Sequence, residues 1–382
     1  MSLHKATELI KKVLIVLSIG LGSILLIVMI FRIFIFAKNI VSPPQITPPN
    51  MTYEALPELQ FLPNEIQNNF TYTINTVSGV LPDFPDRLAV YPFTKSSPNL
   101  LNLDKAKIKA QAIKFVDVQS RVLPEISLGN GKYQWNEQGG INRQLKMDIV
   151  TFDFSIKSSY LSSLTVLAAQ NLNDQNNAIQ TVKAFLDSIE QYPADIDINK
   201  SQNQQNGLSY FTYPQLFNVR NGALVKTTSL STAKVIRVDL YQKDIEYDLD
   251  TGVQNAAKLK MKLPVLYPNP PYSTMSFWIA SGQNSSEVDA AEFIHRDIAK
   301  SDGPLATYPI KTAKQAFEEL QNGKAYIASY DGLEKEILIN NVFLAYYIGS
   351  QDQQYLMPII VFEGQKNFLS YVSAVKDISS KK

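Results

Sequence analysis

The residues best suited to acid–base chemistry lie around His295, in the segment AEFIHRDIAK. A histidine changes charge near neutral pH, and Glu292 and Asp297 on either side could orient it as an acid or a base. The chain holds only 2 histidines and no cysteine, so zinc sites of the His/Cys kind and triads with His are hard to assemble. We therefore interpret His295 as a hydrogen-bonded strand or surface residue, with acid–base chemistry as the alternative.

A second candidate is the acidic alternation Asp244, Glu246, Asp248 and Asp250, which a strand would place on one face. Carboxylate oxygens are the ligands of hard cations such as Ca²⁺. A calcium site, however, usually wraps roughly six to eight oxygens around the ion from a loop, and the glycine and spacing of the familiar loop motif are missing here. The alternation therefore favours a solvated strand face, and we predict no metal site.

Pairs of carboxylates offer a third chemistry. Asp83 with Asp86, and Asp195 with Asp197, could hydrolyse a polymer if the two acids of a pair lay about 5 to 10 Å apart. Acids in proline-rich turns, however, ordinarily serve the turn itself. We therefore predict no catalytic residue and no cofactor, and we do not expect the chain to be an enzyme.

The overall charge argues against one class of partner. The 382 residues contain 36 Lys plus Arg and 35 Asp plus Glu, so no basic excess recommends a nucleic acid. The 19 Tyr and 19 Phe are scattered through alternating segments, which is typical of β-sheets.

An apolar run at residues 13–31, interrupted only by two serines and two glycines, precedes all of these candidates. As a helix at ~1.5 Å per residue it spans roughly 28 Å, close to the ~30 Å core of a bilayer. A cleaved signal peptide is the alternative, but its apolar region is usually ~7 to 15 residues, and FAKNI after the run lacks a small-x-small cleavage pattern. The run predicts a single transmembrane anchor over residues 13–37, with Arg32 reaching the headgroups.

The basic residues at the two ends of this run indicate its orientation. Lys5, Lys11 and Lys12 precede it, whereas Arg32 and Lys38 follow it. Because cytoplasmic flanks carry the excess of basic residues, three against two favours a cytoplasmic N-terminal tail, residues 1–12, and an extracytoplasmic body in the cell envelope. No cysteine is present, so no disulfide marks an oxidising compartment.

The rest of the chain is predicted to form a stalk and two domains. The prolines of residues 38–63 keep the backbone extended, which predicts a semi-rigid stalk. The remaining length suits two domains of the usual ~100 to 200 residues. We predict α+β ectodomains over residues 64–200 and 201–382, with the polar run at residues 199–207 between them.

The first of these domains shows two helix starts. A strand-like alternation begins near Phe70, after which Asp104 is predicted to cap a helix through Phe115. Ala106, Ala110, Ile113 and Ile108 give that helix an uneven apolar face. A second helix is predicted to begin after Asn173 or Asp174 and to run to about residue 189.

Strand patterns surround these helices. Asn130-Gly131 predicts a hairpin turn, because both residues tolerate positive φ. Residues 143–156 alternate and then change parity, which predicts one long strand with a bulge near its middle. In the second domain, residues 234–249 form the clearest predicted strand.

The C-terminal end carries the most specific local signals. Thr312 with Gln315 makes the capping-box arrangement that starts a helix, and Gly323 marks where that helix stops. Predicted strands follow at residues 325–330, 337–348, 355–363 and, as a candidate fourth, 368–375. We expect the helix to lie across an antiparallel meander and to bury one stripe of side chains there, formed by Ala313, Ala316, Phe317 and Leu320.

These residues resemble the helix-plus-sheet unit of PepSY-like domains, over residues 305–376. The matching positions are Ile310, Thr312-Ala313, Ala316, Leu320, Gly323, Ala345-Tyr346-Tyr347, Tyr355-Leu356, Pro358-Ile359 and Val361-Phe362-Glu363-Gly364. With its N-terminal anchor, the whole chain also resembles the YycH/YycI class of membrane-anchored regulators, and the helix after Asp104 with its following strands resembles a diverged first copy of the unit. The resemblance implies antiparallel sheets packed by helices, binding and restraint of a membrane sensor kinase, and no catalytic residues.

Three functions follow as hypotheses. The leading one is a single-pass anchored, extracytoplasmic binding or regulatory protein that contacts an integral membrane protein or another envelope protein. The second is an envelope structural protein that holds wall polymer or a surface protein. The third, a glycan-cleaving enzyme, requires a cleft with two facing acids.

Overall fold

The computed structural model describes most of the chain, namely residues 17, 20–32, 46–64, 66, 70–137, 141–169, 172, 174–197, 214–253, 256–281, 287–299 and 304–377. The chain divides into two compact units. The smaller comprises residues 1–48 and 250–259, and the larger comprises residues 49–249 and 260–382.

In the smaller unit, residues 20–32 are helical and all of their side chains are exposed. Within the described part of the chain, none of the helices combines the length and apolar character that a membrane crossing needs. The predicted cytoplasmic tail and both ends of the predicted anchor, residues 13–37, lie outside the described residues. The unit also contains a β-bridge between Ile46 and Val253.

The predicted stalk, residues 38–63, needs a correction in its second half. Residues 49–63 form neither helix nor strand, in keeping with their prolines. They do not act as a free spacer, because Leu59 is only 6% exposed and the Phe61 ring stacks on Tyr326 with 5.4 Å between centroids. Apolar side chains between the prolines are the reason, since burying them in the core is favourable.

Most of the elements belong to the larger unit. Its helices are α1 (Asn102–Ala112), α2 (Leu164–Ala168), α3 (Gln175–Ser188) and α4 (Ala313–Gln321). The strands, in chain order, are β1 (Thr71–Ile74), β2 (Arg87–Ala89), β3 (Tyr91–Pro92), β4 (Ile126–Gly129), β5 (Lys132–Asn136), β6 (Gln144–Asp148), β7 (Phe154–Lys157), β8 (Gln215–Arg220), β9 (Ala223–Thr227), β10 (Val235–Asp239), β11 (Ile245–Leu249), β12 (Leu259–Leu263), β13 (Val265–Leu266), β14 (Met275–Ala280), β15 (Ala290–Phe293), β16 (Thr307–Pro309), β17 (Tyr326–Ser329), β18 (Glu336–Tyr347), β19 (Tyr355–Gly364) and β20 (Leu369–Ser373).

The larger sheet has the order β4-β5-β6-β7-β15-β14-β10-β8-β9, and each neighbouring pair is antiparallel. Its first hairpin turns at Asn130 and Gly131, which have φ values of 48° and 73°. The predicted hairpin is therefore confirmed, and two successive positive φ values match the right-handed twist of the flanking strands.

Both faces of this sheet are covered. On one face, α1 and α3 bury small and branched side chains against Trp135, namely Ala106, Ala110, Ala178, Val182 and Leu186. On the other face, Tyr160 and Val166 pack against Val235. Val235 and Ile236 are neighbours in β10 and belong to different clusters, as the alternation of a strand requires.

The C-terminal sheet has the order β1-β18-β19-β20-β17, with β1 parallel to β18 and the other neighbours antiparallel. Helix α4 buries Ala313, Ala316 and Leu320 in the core of this sheet. The predicted capping box is confirmed, because the Thr312 hydroxyl accepts from the Gln315 N–H while the Gln315 side chain accepts from the Thr312 N–H. The sheet is not the simple meander that was predicted. In a meander β17 would pair with the next strand, β18, but it lies at the opposite edge and pairs with β20.

Two segments that were each predicted to be one strand contain two strands in the structure. Residues 143–156 contain β6 and β7 joined by a tight turn, so the change of parity marks a hairpin and not a bulge. The turn closes because Asp148 Oδ1 accepts from the Val150 N–H at 2.8 Å and Phe152 takes a φ of 59°. Residues 234–249 likewise contain β10 and β11, which pair in different sheets.

The helix predictions differ in their outcome. Asp174 caps α3 by accepting from the Asn177 N–H at 2.8 Å, as predicted. Asp104 does not cap α1, because that helix begins at Asn102 and places Asp104 in its first turn. Ile108 is 66% exposed and does not join the buried face of α1.

The described residues therefore form an α+β fold with several antiparallel sheets and few helices, as predicted. The larger sheet combines strands from both sides of residue 200, since β7 pairs with β15. The C-terminal sheet does the same through β1 and β18. The predicted domain boundary itself falls in residues 198–213, outside the described residues.

Candidate binding cleft

A cleft of about 940 Å³ opens at one end of the larger sheet. Strand β7 begins there and β15 ends there, because Phe154 is the register partner of Phe293. The residues just outside this pair, Asp153 on one strand and residues 295–297 on the other, therefore line the cleft together. Pairing of the two strands explains why side chains so distant in sequence meet.

The opposite wall comes from the connection between the two sheets. Strand β3 pairs with β19 of the C-terminal sheet, and the chain then runs along the cleft toward α1. This segment is fixed at two points, because the Phe93 N–H donates to the Gln354 carbonyl at 3.0 Å and the Thr94 N–H donates to the Asp297 carbonyl at 2.7 Å. Residues 94–97 remain exposed along the cleft.

His295 is held at the base of the cleft by a network of polar side chains. Its Nε2 lies 2.9 Å from Asp195 Oδ1, and its Nδ1 lies 3.5 Å from Asp297 Oδ1. Gln242, which is 1% exposed, donates its amide to Asp195 Oδ2 at 2.6 Å and to the Arg296 carbonyl at 3.1 Å. The buried amide thus ties the segment after α3 to the segment after β15.

The network also sets the charge of Asp195. Burial raises the pKa of this carboxyl, but hydrogen bonds from His295 and Gln242 together with the histidine charge outweigh burial and hold the pKa below its ordinary value. Asp195 is therefore a carboxylate that accepts hydrogen bonds, and it is poorly suited to deliver a proton to a leaving group.

A second pair lies beside the first. Arg296 Nη1 donates to Asp153 Oδ2 at 2.7 Å, and the two side chains are only 16% and 19% exposed. The same nitrogen donates to the His295 carbonyl at 3.2 Å. Among the described residues, Nε and Nη2 of Arg296 make no hydrogen bond.

The other residues that the sequence singled out lie apart from the cleft. Asp86 binds Arg87 through both carboxylate oxygens at 3.0 Å, and Asp83 is exposed. Glu246 and Asp248 face solvent on β11, and Glu246 pairs with Lys262 at 2.8 Å. In the described part of the chain, no group of three or more His, Cys, Asp or Glu side chains could hold a metal ion.

The cleft brings together residues that the sequence did not associate. His295 is hydrogen-bonded, as interpreted, but its close partner is Asp195 and not Glu292, which is exposed. Asp153, Arg296 and Gln242 were not singled out at all. Only the run His295-Arg296-Asp297 gave a local signal, since three adjacent charged or titratable residues at a strand end suggest a polar site.

Comparison with known proteins leaves the family of this chain open. No protein-family model matches the sequence, and no curated protein matches it. Two solved structures align weakly: an uncharacterised protein from Eubacterium rectale, at 11% identity and a TM-score of 0.30 over 76% of this chain and 85% of that one, and the YpeB C-terminal domain from Bacillus megaterium, at 8% identity and a TM-score of 0.29 over 74% and 96%. Similarity at this level establishes neither a shared fold nor a family.

Proposed function

We propose that this chain is a single-pass membrane-anchored protein whose body lies outside the cytoplasm. The proposal depends on the apolar run at residues 13–31. The observation that carries it is that the described helical part, residues 20–32, exposes every side chain, including Leu21, Leu25 and Phe31 at more than 60%. A helix that is apolar on all sides and covered on none is suited to lipid or to another apolar helix.

We further propose that the protein binds and modulates an integral membrane protein or another envelope protein, with a sensor kinase as the class that the sequence resemblance implies. An apolar helix in a bilayer can pack against the helix of a partner, while the body reaches the partner's extracytoplasmic part. In this role the protein needs no chemistry of its own. The polar network of the cleft is compatible with that role, because its acids are already paired with basic or amide groups.

A second function, retention of wall polymer or a surface protein, is favoured by one specific observation. The cleft at the end of the larger sheet is wide and polar, and it draws residues from both sheets. Ligand sites commonly occur in clefts where separate parts of a fold meet. A polymer-binding body on a membrane anchor would serve a structural role in the envelope.

The experiment that tests the leading proposal is in-membrane crosslinking of the full-length chain. A matched variant replaces residues 13–37 by an unrelated apolar helix of the same length, which keeps the location and changes only the helix surface. We expect the native chain to crosslink to an integral membrane protein and the variant to lose that partner. Recovery of the same material by both chains would contradict a helix-mediated contact and favour the second function.

A further inference from the structure

The cleft has the size and the openness that a short segment of polymer requires. Its volume of about 940 Å³ lies near the upper end of the ~300 to 1,000 Å³ typical of ligand sites. Residues 94–97 and 99 are exposed along one side, so a chain could enter and leave without being enclosed. These dimensions fit several linked rings better than one small metabolite.

The charges that line the cleft argue against an anionic polymer. The lining contains two side chains of the Lys and Arg type, Lys95 and Arg296. It contains four carboxylates, those of Asp153, Glu190, Asp297 and Asp352. Arg296 is moreover neutralised by Asp153 at 2.7 Å. Polyanions are held by an excess of basic side chains, and the balance here is in the opposite direction.

The lining also includes neutral hydrogen-bonding side chains, among them Thr94, Ser96, Ser97, Asn99 and Gln191. The Arg296–Asp153 pair adds charged donors and acceptors side by side, because Arg296 Nε and Nη2 and Asp153 Oδ1 make no hydrogen bond to another described residue. A hydroxyl group both donates and accepts a hydrogen bond, so neighbouring hydroxyls of a sugar ring match such a pair.

The lining also includes the aromatic ring of Phe152, a residue with an unusual backbone conformation. Phe152 has a φ of 59° and is half-buried on the turn between β6 and β7. The left-handed conformation costs a non-glycine residue roughly 1 to 2 kcal/mol, and asparagine or glycine adopts it more readily. Lys109 Nζ lies over one face of the ring, 5.2 Å from its centroid, so only the other face is open to a ligand. The strained turn thus places an aromatic side chain on the cleft wall, where Tyr192 supplies a second ring.

We infer that this cleft binds a short segment of an uncharged glycan, held by the hydroxyl, amide and Arg296–Asp153 groups and stacked on the Phe152 ring. The inference deepens the second function proposed above and relies on that function only for the location in which such a glycan would be met. Binding itself is a property of the body, so it can fail or succeed independently of the helix-mediated contact.

The test is equilibrium binding to the full-length chain in lipid nanodiscs, which avoids sugar-based detergents. The probes are uncharged tetrasaccharides of N-acetylglucosamine, glucose and mannose, measured by isothermal titration calorimetry. Inorganic polyphosphate and an uncharged Ser-Gly peptide serve as the competing ligand classes. We expect at least one tetrasaccharide to bind with a Kd that added salt does not change, since no charge on the ligand is screened.

Three variants locate the binding. Phe152→Asn removes the ring while keeping a residue that tolerates the backbone conformation, and we expect it to weaken binding about tenfold, the effect of losing roughly 1.4 kcal/mol of stacking. Ser97→Trp fills the exposed wall and should abolish binding. Ser231→Trp is the matched control, because Ser231 is also exposed but does not line the cleft. Thermal unfolding of each variant confirms that it remains folded.

The outcomes separate cleanly. Tetrasaccharide binding that Ser97→Trp abolishes and Ser231→Trp preserves supports the inference. Binding of polyphosphate or peptide alone, binding that no cleft variant affects, or no binding by a folded chain overturns it. If the crosslinking partner is still recovered in that case, the leading proposal stands without the glycan site.

Discussion

The imidazole Nε2 of His295 lies 2.9 Å from Asp195 Oδ1, although 100 positions separate the two residues in the chain. His295 follows β15 of the larger sheet, and Asp195 follows α3, a helix that covers this sheet. Gln242 completes the arrangement by donating to the second oxygen of the same carboxylate. A polar network thus joins these two segments at the end of the sheet.

Replacing Asp195 by Asn is expected to lower the free energy of unfolding by about 1 to 2 kcal/mol, because the change removes charge from two charge-assisted hydrogen bonds. Chemical unfolding of the full-length chain in detergent measures this. The matched change Asp297→Asn should cost less than about 0.5 kcal/mol, since that side chain is 72% exposed and lies 3.5 Å from the histidine. Equal losses at the two positions would contradict a structural role for the network.

The same variant has a defined pH dependence. The pKa of Asp195 is lowered on folding from an ordinary value of 3.8, so the native residue stabilises the fold above that value. This contribution is lost as the pH falls through the folded-state pKa. The stability difference between the native chain and Asp195→Asn should therefore shrink as the pH falls below about 4.

Asp289 is predicted to change the stability with pH in the opposite direction to Asp195, because folding raises its pKa. Burial raises its pKa from 3.8 to about 7, although the carboxylate accepts from the Ala280 N–H at 2.7 Å. The folded state holds this proton more tightly than the unfolded state, so stability is greatest below about pH 4 and falls as the pH rises toward 7. Asp289→Asn should remove this fall and raise the melting temperature at pH 8.

The control for Asp289 is Asp104→Asn, at an exposed position in the first turn of α1. It should leave the dependence of the melting temperature on pH between 4 and 8 unchanged. A pH profile that is the same in Asp289→Asn as in the native chain would show that folding does not raise the pKa of this carboxyl.

The capping box of α4 supports a third prediction. Thr312→Ala should cost about 1 kcal/mol, because the Gln315 N–H loses its acceptor at the start of the helix. Thr312→Ser retains a hydroxyl at the same place and should cost a few tenths of that amount. Urea unfolding distinguishes the two, and an equal loss in both would assign the effect to the methyl group.

Gly364 supports a fourth prediction, which depends on close backbone approach. A Cβ at this position would lie 2.7 Å from the Leu338 carbonyl oxygen on the paired strand, so Gly364→Ala must push β18 and β19 apart. We expect a loss of about 1 to 3 kcal/mol, as for overpacking in a core. In Gly332→Ala the added atom meets mainly the end of the Tyr330 side chain, which can move, so the loss should be smaller.

A fifth prediction concerns catalysis. The uncharged tetrasaccharides should remain intact on long incubation with the full-length chain, because glycoside hydrolysis needs an acid with a raised pKa. Asp153 in the cleft is paired with Arg296. Asp195 does not line the cleft, and despite burial its hydrogen bonds with His295 and Gln242 and the histidine charge hold its pKa below the ordinary value. Chromatographic detection of shortened products that disappear in Asp153→Asn would contradict this and support the enzyme hypothesis.

Local signals in the sequence predicted local structure. The Thr312–Gln315 capping box, the Asp174 cap and the Asn130-Gly131 hairpin all occur where predicted. Each depends on hydrogen bonds or φ angles within about four residues, so the residues involved are neighbours in the sequence. The alternation of apolar residues likewise indicated an α+β fold with antiparallel sheets.

The same kind of reasoning failed where two structures share one pattern. A change of parity within residues 143–156 is compatible with a bulge or with a hairpin turn. The turn places Phe152 at a φ of 59°, which a bulky residue rarely adopts. The sequence therefore shows no glycine or asparagine at this position that would predict a turn. The aromatic side chain on the cleft wall was hidden for the same reason.

Only the tertiary structure decided which distant residues meet. Arg296 and Asp153 are 143 positions apart and pair because β7 and β15 are neighbours in the sheet. Nothing in either segment specifies the other, since strand partners are chosen by how the whole core packs and not by local preference. The sequence by itself thus determined the two helix caps, the first hairpin and the apolar run before them, whereas the cleft exists only because strands from both halves of the chain complete one sheet.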